Sequence, residues 1–442
     1  MKRDEFNSQA APERAVAVHE EKILRRLFHG FPGGLAARLP NGATLTLGAH
    51  APEFTLIFKH PGVIRDLILS QDPIQLAEAY LSDQVDFEGD IYRVLAVKDH
   101  FLSLKLSALD KAALAAAALK LRMASDENGG VGNTPSGSRW LRSPFSRKHT
   151  KQSDRRAISF HYDVSNEFYG LWLDEQMVYS CAYFNHPGND LEEAQRAKLD
   201  HICRKLRLKP GERLLDIGCG WGALMRWAAK HYGVHAHGIT LSENQYRHNQ
   251  RLIREENLEG LVTVELVDYR DVAGESVFDK IVSVGMFEHV GLRNLPVYFR
   301  TAHRLLKSGG LLLNHGITHD EPGWQKTIST EFINRYVFPD GELDTVSNVL
   351  RVVEQEGFEV HDVEGLRPHY ALTLREWVRR LEARKDEALQ HVSEAVYRVW
   401  RLYMAACAME FEGGEVGVHQ ILASKRAAGL WPVPLTRRDL YE

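Results

Sequence analysis

Three glycines at every second position, Gly218, Gly220 and Gly222, follow an aspartate in the run Asp216-Ile217-Gly218-Cys219-Gly220-Trp221-Gly222. Glycines so spaced supply a tight turn and let the main chain pass close beneath a ligand. Dinucleotide-binding enzymes carry such a loop too, so the loop alone does not choose its ligand. The surrounding residues do. An acid two positions ahead of the first glycine suits a cationic amino-acid ligand better than a pyrophosphate, and Thr240, not Asp or Glu, closes the next apolar run. The predicted ligand is therefore S-adenosyl-L-methionine. Thr240-Leu241-Ser242 with Gln245 offers hydrogen-bonding groups for a ribose, while Asp268-Tyr269-Arg270 offers an acceptor for the adenine amine and a ring beside it. Taken singly, each of these strings is also an ordinary cap or turn.

Residues with these tasks need a frame that brings them to one edge. From Arg213 the chain alternates apolar runs with helical stretches: Arg213 to Ile217, Val234 to Ile239, Val262 to Val267, Lys280 to Val284 and Leu311 to His315. Five strands separated by helices predict an α/β, doubly wound, mostly parallel sheet, whose ligands bind at the carboxyl ends of the strands. With the ligand above, this is the class I S-adenosylmethionine-dependent methyltransferase fold. Short alternating runs at Ala36 to Leu39, Ala43 to Leu47 and Thr55 to Lys59, then helical patterns from Ile64 to Leu119, predict a smaller N-terminal α+β domain. The expected organisation is a flexible 1–20, an N-terminal lipid-associating domain 21–123, a Gly/Ser and basic linker 124–157, and a catalytic domain 158–442.

Bulk composition excludes several classes. The 442 residues carry 55 Lys+Arg against 59 Asp+Glu, a formal charge of -4, so no nucleic-acid partner is expected. Four cysteines, Cys181, Cys203, Cys219 and Cys407, stand singly without zinc-ligand spacing, so neither a disulfide framework nor a metal site is expected, and a reducing cytosol fits. Neither a signal-peptide core nor an apolar run of roughly 18 residues is found, so a lipid substrate would be met from one side of a membrane. The linker's Arg139, Arg142, Arg147, Lys148, Lys151, Arg155 and Arg156, with Trp140 and Phe145 among them, read either as a solvated connector or as a segment touching anionic headgroups.

The string His161-Tyr162-Asp163-Val164-Ser165-Asn166-Glu167-Phe168-Tyr169, followed by Met177 to Phe184, resembles the signature ahead of the cofactor domain in the cyclopropane-fatty-acyl-phospholipid synthase family and its mycolic acid cyclopropane synthase relatives. The resemblance continues through Gly218 to Gly222, Phe287-Glu288-His289-Val290-Gly291, His315-Gly316-Ile317 and Pro368-His369-Tyr370. It covers nearly the whole chain. Residues 35 to 120 resemble only the phospholipid-acting branch, which implies unsaturated phospholipids in the membrane as the partner. It further implies Tyr179, Ser180, Cys219 and Trp221 at the cofactor, and a peripheral position on the inner, cytoplasmic face of the membrane. The added N-terminal domain makes a homodimer plausible.

Chemically, the resemblance implies methyl transfer to an alkene, a carbocation, and loss of a proton to close a cyclopropane ring. Aromatic faces stabilise cations, and Tyr162, Tyr179, Tyr183, Trp221, Phe287 and Tyr370 are candidates, each of which could equally be packing. The implied base is a bound bicarbonate held by Glu288, His315, Tyr370 and the N–H groups of Cys181 and Ile317. Hydroxyl, imidazole and N–H groups donate to an anion's oxygens, while a carboxylate accepts its O–H. Cys407 stands where the family is described as having an active-site cysteine, but an Ala-rich helix favours inert packing and no step needs a thiolate. Helices Leu374 to Leu381 and Val392 to Phe411 either cover an acyl cavity or merely cap the sheet. Gly316, Thr318 and the long linker depart from the expected pattern and leave substrate preference open, and a methyl- or methylene-branched product is the chief alternative to a ring.

Overall fold

The computed structural model describes residues 18–60, 62–65, 74–104, 107, 110, 112–114, 116–117, 164–322, 328–338, 341–429 and 431–441. The expected linker, residues 1–17 and His161 to Asp163, including the aromatic candidate Tyr162, lie outside them. The chain divides into two compact units, one from Met1–Arg142 with Glu394–Leu402 and the other from Ser143–Ser393 with Tyr403–Glu442.

In the first unit, strands β2 (Thr44–Gly48) and β3 (Phe54–Phe58) alternate in burial along the strand, while β1 (Gly34–Arg38), the strand between them, is buried on both faces from Gly34 to Ala37. A fourth, β4 (Val85–Gly89), was not anticipated; the sheet order is β2-β1-β3-β4, with β1 and β3 parallel. Its apolar face, with Leu35, Ala37, Leu47, Phe54, Leu56 and Phe58, forms one core with Ile23 and Leu24 from the helical residues 18–27 and with Phe28 in the turn that follows. Sequence alone assigned Glu394–Leu402 to the catalytic domain. The structure groups them here because Arg398 is buried, giving hydrogen bonds to the Tyr80 carbonyl (2.8 Å), Asp83 (2.6 Å) and Asp86 (3.0 Å). A buried guanidinium needs such partners, which fixes where that stretch packs.

The second unit holds a seven-stranded sheet in the order β10-β11-β9-β8-β5-β6-β7. Strands β5 (Arg213–Ile217), β6 (His235–Thr240), β7 (Val262–Leu266), β8 (Phe278–Val284) and β9 (Leu306–His319) are the five expected, and all pair in parallel. Two more were not anticipated. Strands β10 (Phe358–Gly365) and β11 (Val416–Lys425) extend the sheet antiparallel, with β11 between β9 and β10. Helices α1 (Leu191–Leu206), α2 (Ala223–Tyr232), α3 (Glu243–Glu255) and α4 (Leu295–Leu305) flank the parallel part. Chain order reverses at β5, whose neighbours are β6 and β8. Such a switch opens a crevice at the strands' carboxyl ends, because successive connections leave on opposite faces. Further on come α5 (Arg367–Ala383) and α6 (Glu394–Gly413), the latter entering this unit at Tyr403. Among the described residues no helix is long and apolar enough to cross a membrane.

Candidate active site

At the switch point lies a cavity of about 130 Å³ lined by the loop Asp216 to Gly222, by Met177 to Ser180, and by residues closing β6 and β8. The loop is tight because Gly218 and Cys219 both donate their N–H to the Ile239 carbonyl at 3.0 Å. Gly218, Gly220 and Gly222 all have positive φ, which only glycine adopts without strain. A β-carbon at Gly222 would stand 1.7 Å from Asn249 Oδ1, whereas one at Gly220 would meet nothing within 4 Å and so faces open space. That room directly over the loop is where a ligand's backbone-hugging part fits.

Of the expected cofactor residues, Tyr179, Ser180, Asp216, Gly218, Cys219, Gly220, Trp221, Gly222, Thr240, Leu241, Gln245 and Tyr269 line the cavity. Asp216 is buried, and burial pushes its carboxyl up to about 7, with the Lys198 charge pulling the other way. The Thr240 hydroxyl donates to Gln245 Oε1 at 2.8 Å, which fixes that amide at the cavity edge. Ser242 does not line the cavity; its hydroxyl caps α3 by accepting the Gln245 N–H. Asp268 and Arg270 do not line it either. They pair with each other, Arg270 Nη2 to Asp268 Oδ2 at 2.6 Å and Nε to Oδ1 at 2.8 Å, which engages the carboxylate expected to accept from adenine.

A second cluster adjoins the first, where β8 and β9 end. Glu288 sits in a short 3₁₀ turn, Phe287–His289, two residues beyond the cavity-lining Met286. Its Oε1 accepts the Ile317 N–H at 2.7 Å, while Oε2 is buried without a hydrogen-bond partner. Burial pushes this carboxyl up to about 7. His315 is the last residue of β9 paired with β8, and Gln420 on β11 donates its amide to Nδ1 at 3.2 Å, leaving Nε2 buried and unpartnered. That bond places the neutral ring's proton on Nε2, and burial holds the ring down to about 3, so it stays neutral. The Ile317 N–H thus serves Glu288, contrary to the expectation that it faces a bound anion.

Cys181 and Tyr370 meet at one carbonyl. Leu366 O accepts the Tyr370 N–H at 3.2 Å and lies 3.8 Å from Cys181 Sγ, and the Leu366 N–H in turn bonds Val418 O, opposite Ile317 in the sheet. The side chain of Tyr370 packs on Phe411 at 4.7 Å between ring centres. Burial pushes the Cys181 and Cys407 thiols far up, so neither is a thiolate at neutral pH. Cys407 shares a hydrogen bond with Tyr403, which also reaches Tyr179 on the cavity wall. Of the other aromatic candidates, Trp221 and Tyr179 line the cavity and pack on Tyr169 at 4.9 and 5.7 Å. Phe287 packs into the core. Tyr183 stacks on both His201 (4.3 Å) and His369 (4.8 Å), so its ring is engaged away from the cavity.

Sequence reasoning missed Lys198, Met177, Met286 and His289 on the cavity wall, and Gln420 behind His315. One signal was available for Lys198. It interrupts the apolar stripe Leu191, Ala194, Leu199, Ile202 and Leu206 of α1, the face that must be buried. Gln420 gave no local sign, since its role exists only through β11 pairing with β9. Among the described residues there is no group of three or more His, Cys, Asp or Glu that could hold a metal ion.

Known proteins resemble this chain. A probable fatty acid methyltransferase of Pseudomonas putida is 42% identical over 410 residues, spanning 92% of this chain and 96% of its own. The cyclopropane-fatty-acyl-phospholipid synthase of Escherichia coli K12 is 40% identical over 291 residues, 64% of this chain and 72% of its own. Among solved structures, a mycolic acid cyclopropane synthase complexed with SAH and CTAB superposes with a TM-score of 0.59 at 38% identity, covering 61% of this chain and 98% of that one. The family model described as mycolic acid cyclopropane synthetase matches residues 149–421, more than half of the sequence. On its doubly wound sheet, its glycine loop and that match, the chain belongs to the mycolic acid cyclopropane synthetase family of S-adenosylmethionine-dependent methyltransferases.

Proposed function

We propose that the protein transfers a one-carbon unit from S-adenosylmethionine to the cis double bond of an unsaturated phospholipid acyl chain and closes a cyclopropane ring. The single observation that carries this reading is the pair of buried, unpartnered atoms, Glu288 Oε2 and His315 Nε2, beside a glycine-loop cavity. Orphaned polar atoms in a dry site are costly unless a ligand completes them. One is an acceptor and the other a donor, which matches a small anion that carries its own O–H.

In this reading the alkene attacks the sulfonium methyl, the C–S bond breaks to leave S-adenosylhomocysteine, and positive charge develops on the second alkene carbon. Orientation and exclusion of water supply most of the acceleration, because an isolated alkene is a weak nucleophile. Tyr179 and Trp221 offer ring faces to the cation. A proton then leaves the new methyl group and its electron pair closes the ring. Bicarbonate, when bound, supplies the base for that proton, held by Glu288, His315, Tyr370 and the Cys181 N–H. The Ile317 N–H orients Glu288, and Gln420 orients His315.

Similarity to the Escherichia coli phospholipid enzyme supports this acyl substrate. The near full-length match to a probable fatty acid methyltransferase favours a second reading, a methyl- or methylene-branched chain. The same substrate would make the protein a peripheral visitor to the inner face of the cytoplasmic membrane, with the N-terminal unit as a lipid-associating domain and a homodimer as its assembly. Vesicles of a monounsaturated phospholipid incubated with trideuteromethyl-labelled cofactor decide among the products. A gain of CD2 with cyclopropane resonances supports ring closure, CD2 without a ring identifies a methylene branch, and intact CD3 or no gain overturns the proposal.

A further inference from the structure

S-Adenosylmethionine is a zwitterion at its amino-acid end. Asp216 offers a counter-charge for the α-ammonium, but a buried site must also meet the α-carboxylate. Among the described lining residues Lys198 is the single Lys or Arg. Its side chain is buried, and Nζ donates to Ser180 Oγ at 2.9 Å. Three residues earlier on the same face of α1, Gln195 Nε2 donates to the Ser180 carbonyl at 2.9 Å, so one helix pins the cavity wall from two positions. Among the described residues no carboxylate lies within 4.0 Å of Lys198 Nζ; Asp174 and Asp216 act on it only through space. An ammonium has three donors, and one is used here.

A buried lysine with one neutral acceptor, no direct ion pair and an open cavity in front of it is an incomplete site. We infer that Lys198, set by Ser180 Oγ, recognises the α-carboxylate of the bound S-adenosylmethionine, making with Asp216 a two-charge clamp for its amino-acid end. This rests on the reading of the cavity as the co-substrate site. Burial lowers the Lys198 ammonium to about 8, so it still carries a charge at neutral pH, and an arriving carboxylate strengthens that charge. The role is one of recognition and positioning. Lys198 touches no reacting atom in this arrangement, and its loss therefore acts on affinity before turnover.

Decarboxylated S-adenosylmethionine, which keeps the sulfonium and the amine, isolates this contact. Titration calorimetry of the full chain should show it binding roughly 10- to 100-fold more weakly than S-adenosylmethionine, the range expected for losing a charge-assisted hydrogen bond. Lys198→Met should weaken S-adenosylmethionine by a similar factor while leaving the decarboxylated form within about 3-fold of wild type, raising KM with kcat nearly kept. Equal loss for both ligands assigns Lys198 to structure and overturns the inference, as does equal affinity of the wild type for both. If Lys198→Met fails to fold, Lys198→Gln, which keeps a donor for Ser180 but no charge, is put to the same two-ligand comparison with the same outcomes. Binding of neither ligand by the wild type would instead sink the co-substrate reading itself.

Discussion

Glu288 and Ile317, 29 residues apart, are joined by a 2.7 Å hydrogen bond from the Ile317 N–H to Glu288 Oε1, which leaves Oε2 as the carboxylate's open end. The strand end thereby holds the acid's orientation. It also divides the acid's labour, one oxygen bound to the scaffold and the other presented to the site.

Glu288→Gln keeps a carbonyl for Ile317 and replaces the open oxygen with a donor. The variant should fold, bind cofactor within about 3-fold of wild type, and lose roughly 100-fold or more in turnover, the scale of a positioned acid–base contribution. Calorimetry for binding and mass analysis of lipid for turnover check this; undiminished turnover would remove Glu288 from the chemistry.

The same substitution reads out the cost of burying the acid. Burial raises the Glu288 carboxyl from its ordinary 4.5 to about 7. Below 4.5 both folded and unfolded chains hold the proton and no cost appears. Between 4.5 and 7 the unfolded chain releases it first, so wild-type stability falls as pH rises, by on the order of 3 kcal/mol in full above 7. Relative to wild type, Glu288→Gln should gain melting temperature across that window. Asp216 and Glu20 carry similar raised values, but they are present in both proteins and cancel. A difference in melting temperature that stays flat from pH 4.5 to 8 would contradict the burial argument.

Gly316 is held small by Phe287. A β-carbon there would stand 1.8 Å from the Phe287 ring and 3.1 Å from Glu288 Oε1. Gly316→Ala should therefore destabilise by about 1–3 kcal/mol through overpacking and lower turnover by displacing Glu288. Adding Phe287→Leu should recover a good part of the stability, measured by urea unfolding.

Cys407 is buried with its thiol pushed far up and a hydrogen bond to Tyr403. Cys407→Ala should keep turnover within about 3-fold, because no thiolate is available for nucleophilic chemistry. A loss of 100-fold with the fold intact, judged by circular dichroism and cofactor binding, would restore a chemical role.

Local features were legible in the sequence because they are set by neighbouring residues. The loop Asp216 to Gly222 follows an apolar strand and opens a helix, and its glycines mark positive φ directly. Alternating strands and helices likewise determined the five parallel strands, and the acid ahead of the loop with Thr240 determined the class of ligand expected. What required tertiary structure is everything made by distant partners. Tyr183 reads as a candidate cation-stabilising ring until His201 and His369 are seen stacked on it. Gln420 supports His315 from 105 residues away, across a strand pairing that no local pattern announces. Lys198 lies on the apolar stripe of α1, but that this stripe faces the cavity is set only by how the helix packs on the sheet. Backbone conformation is a short-range property and survives in the order of residues; burial and hydrogen-bond partnership depend on which distant segments pack together, and only the folded chain decides them.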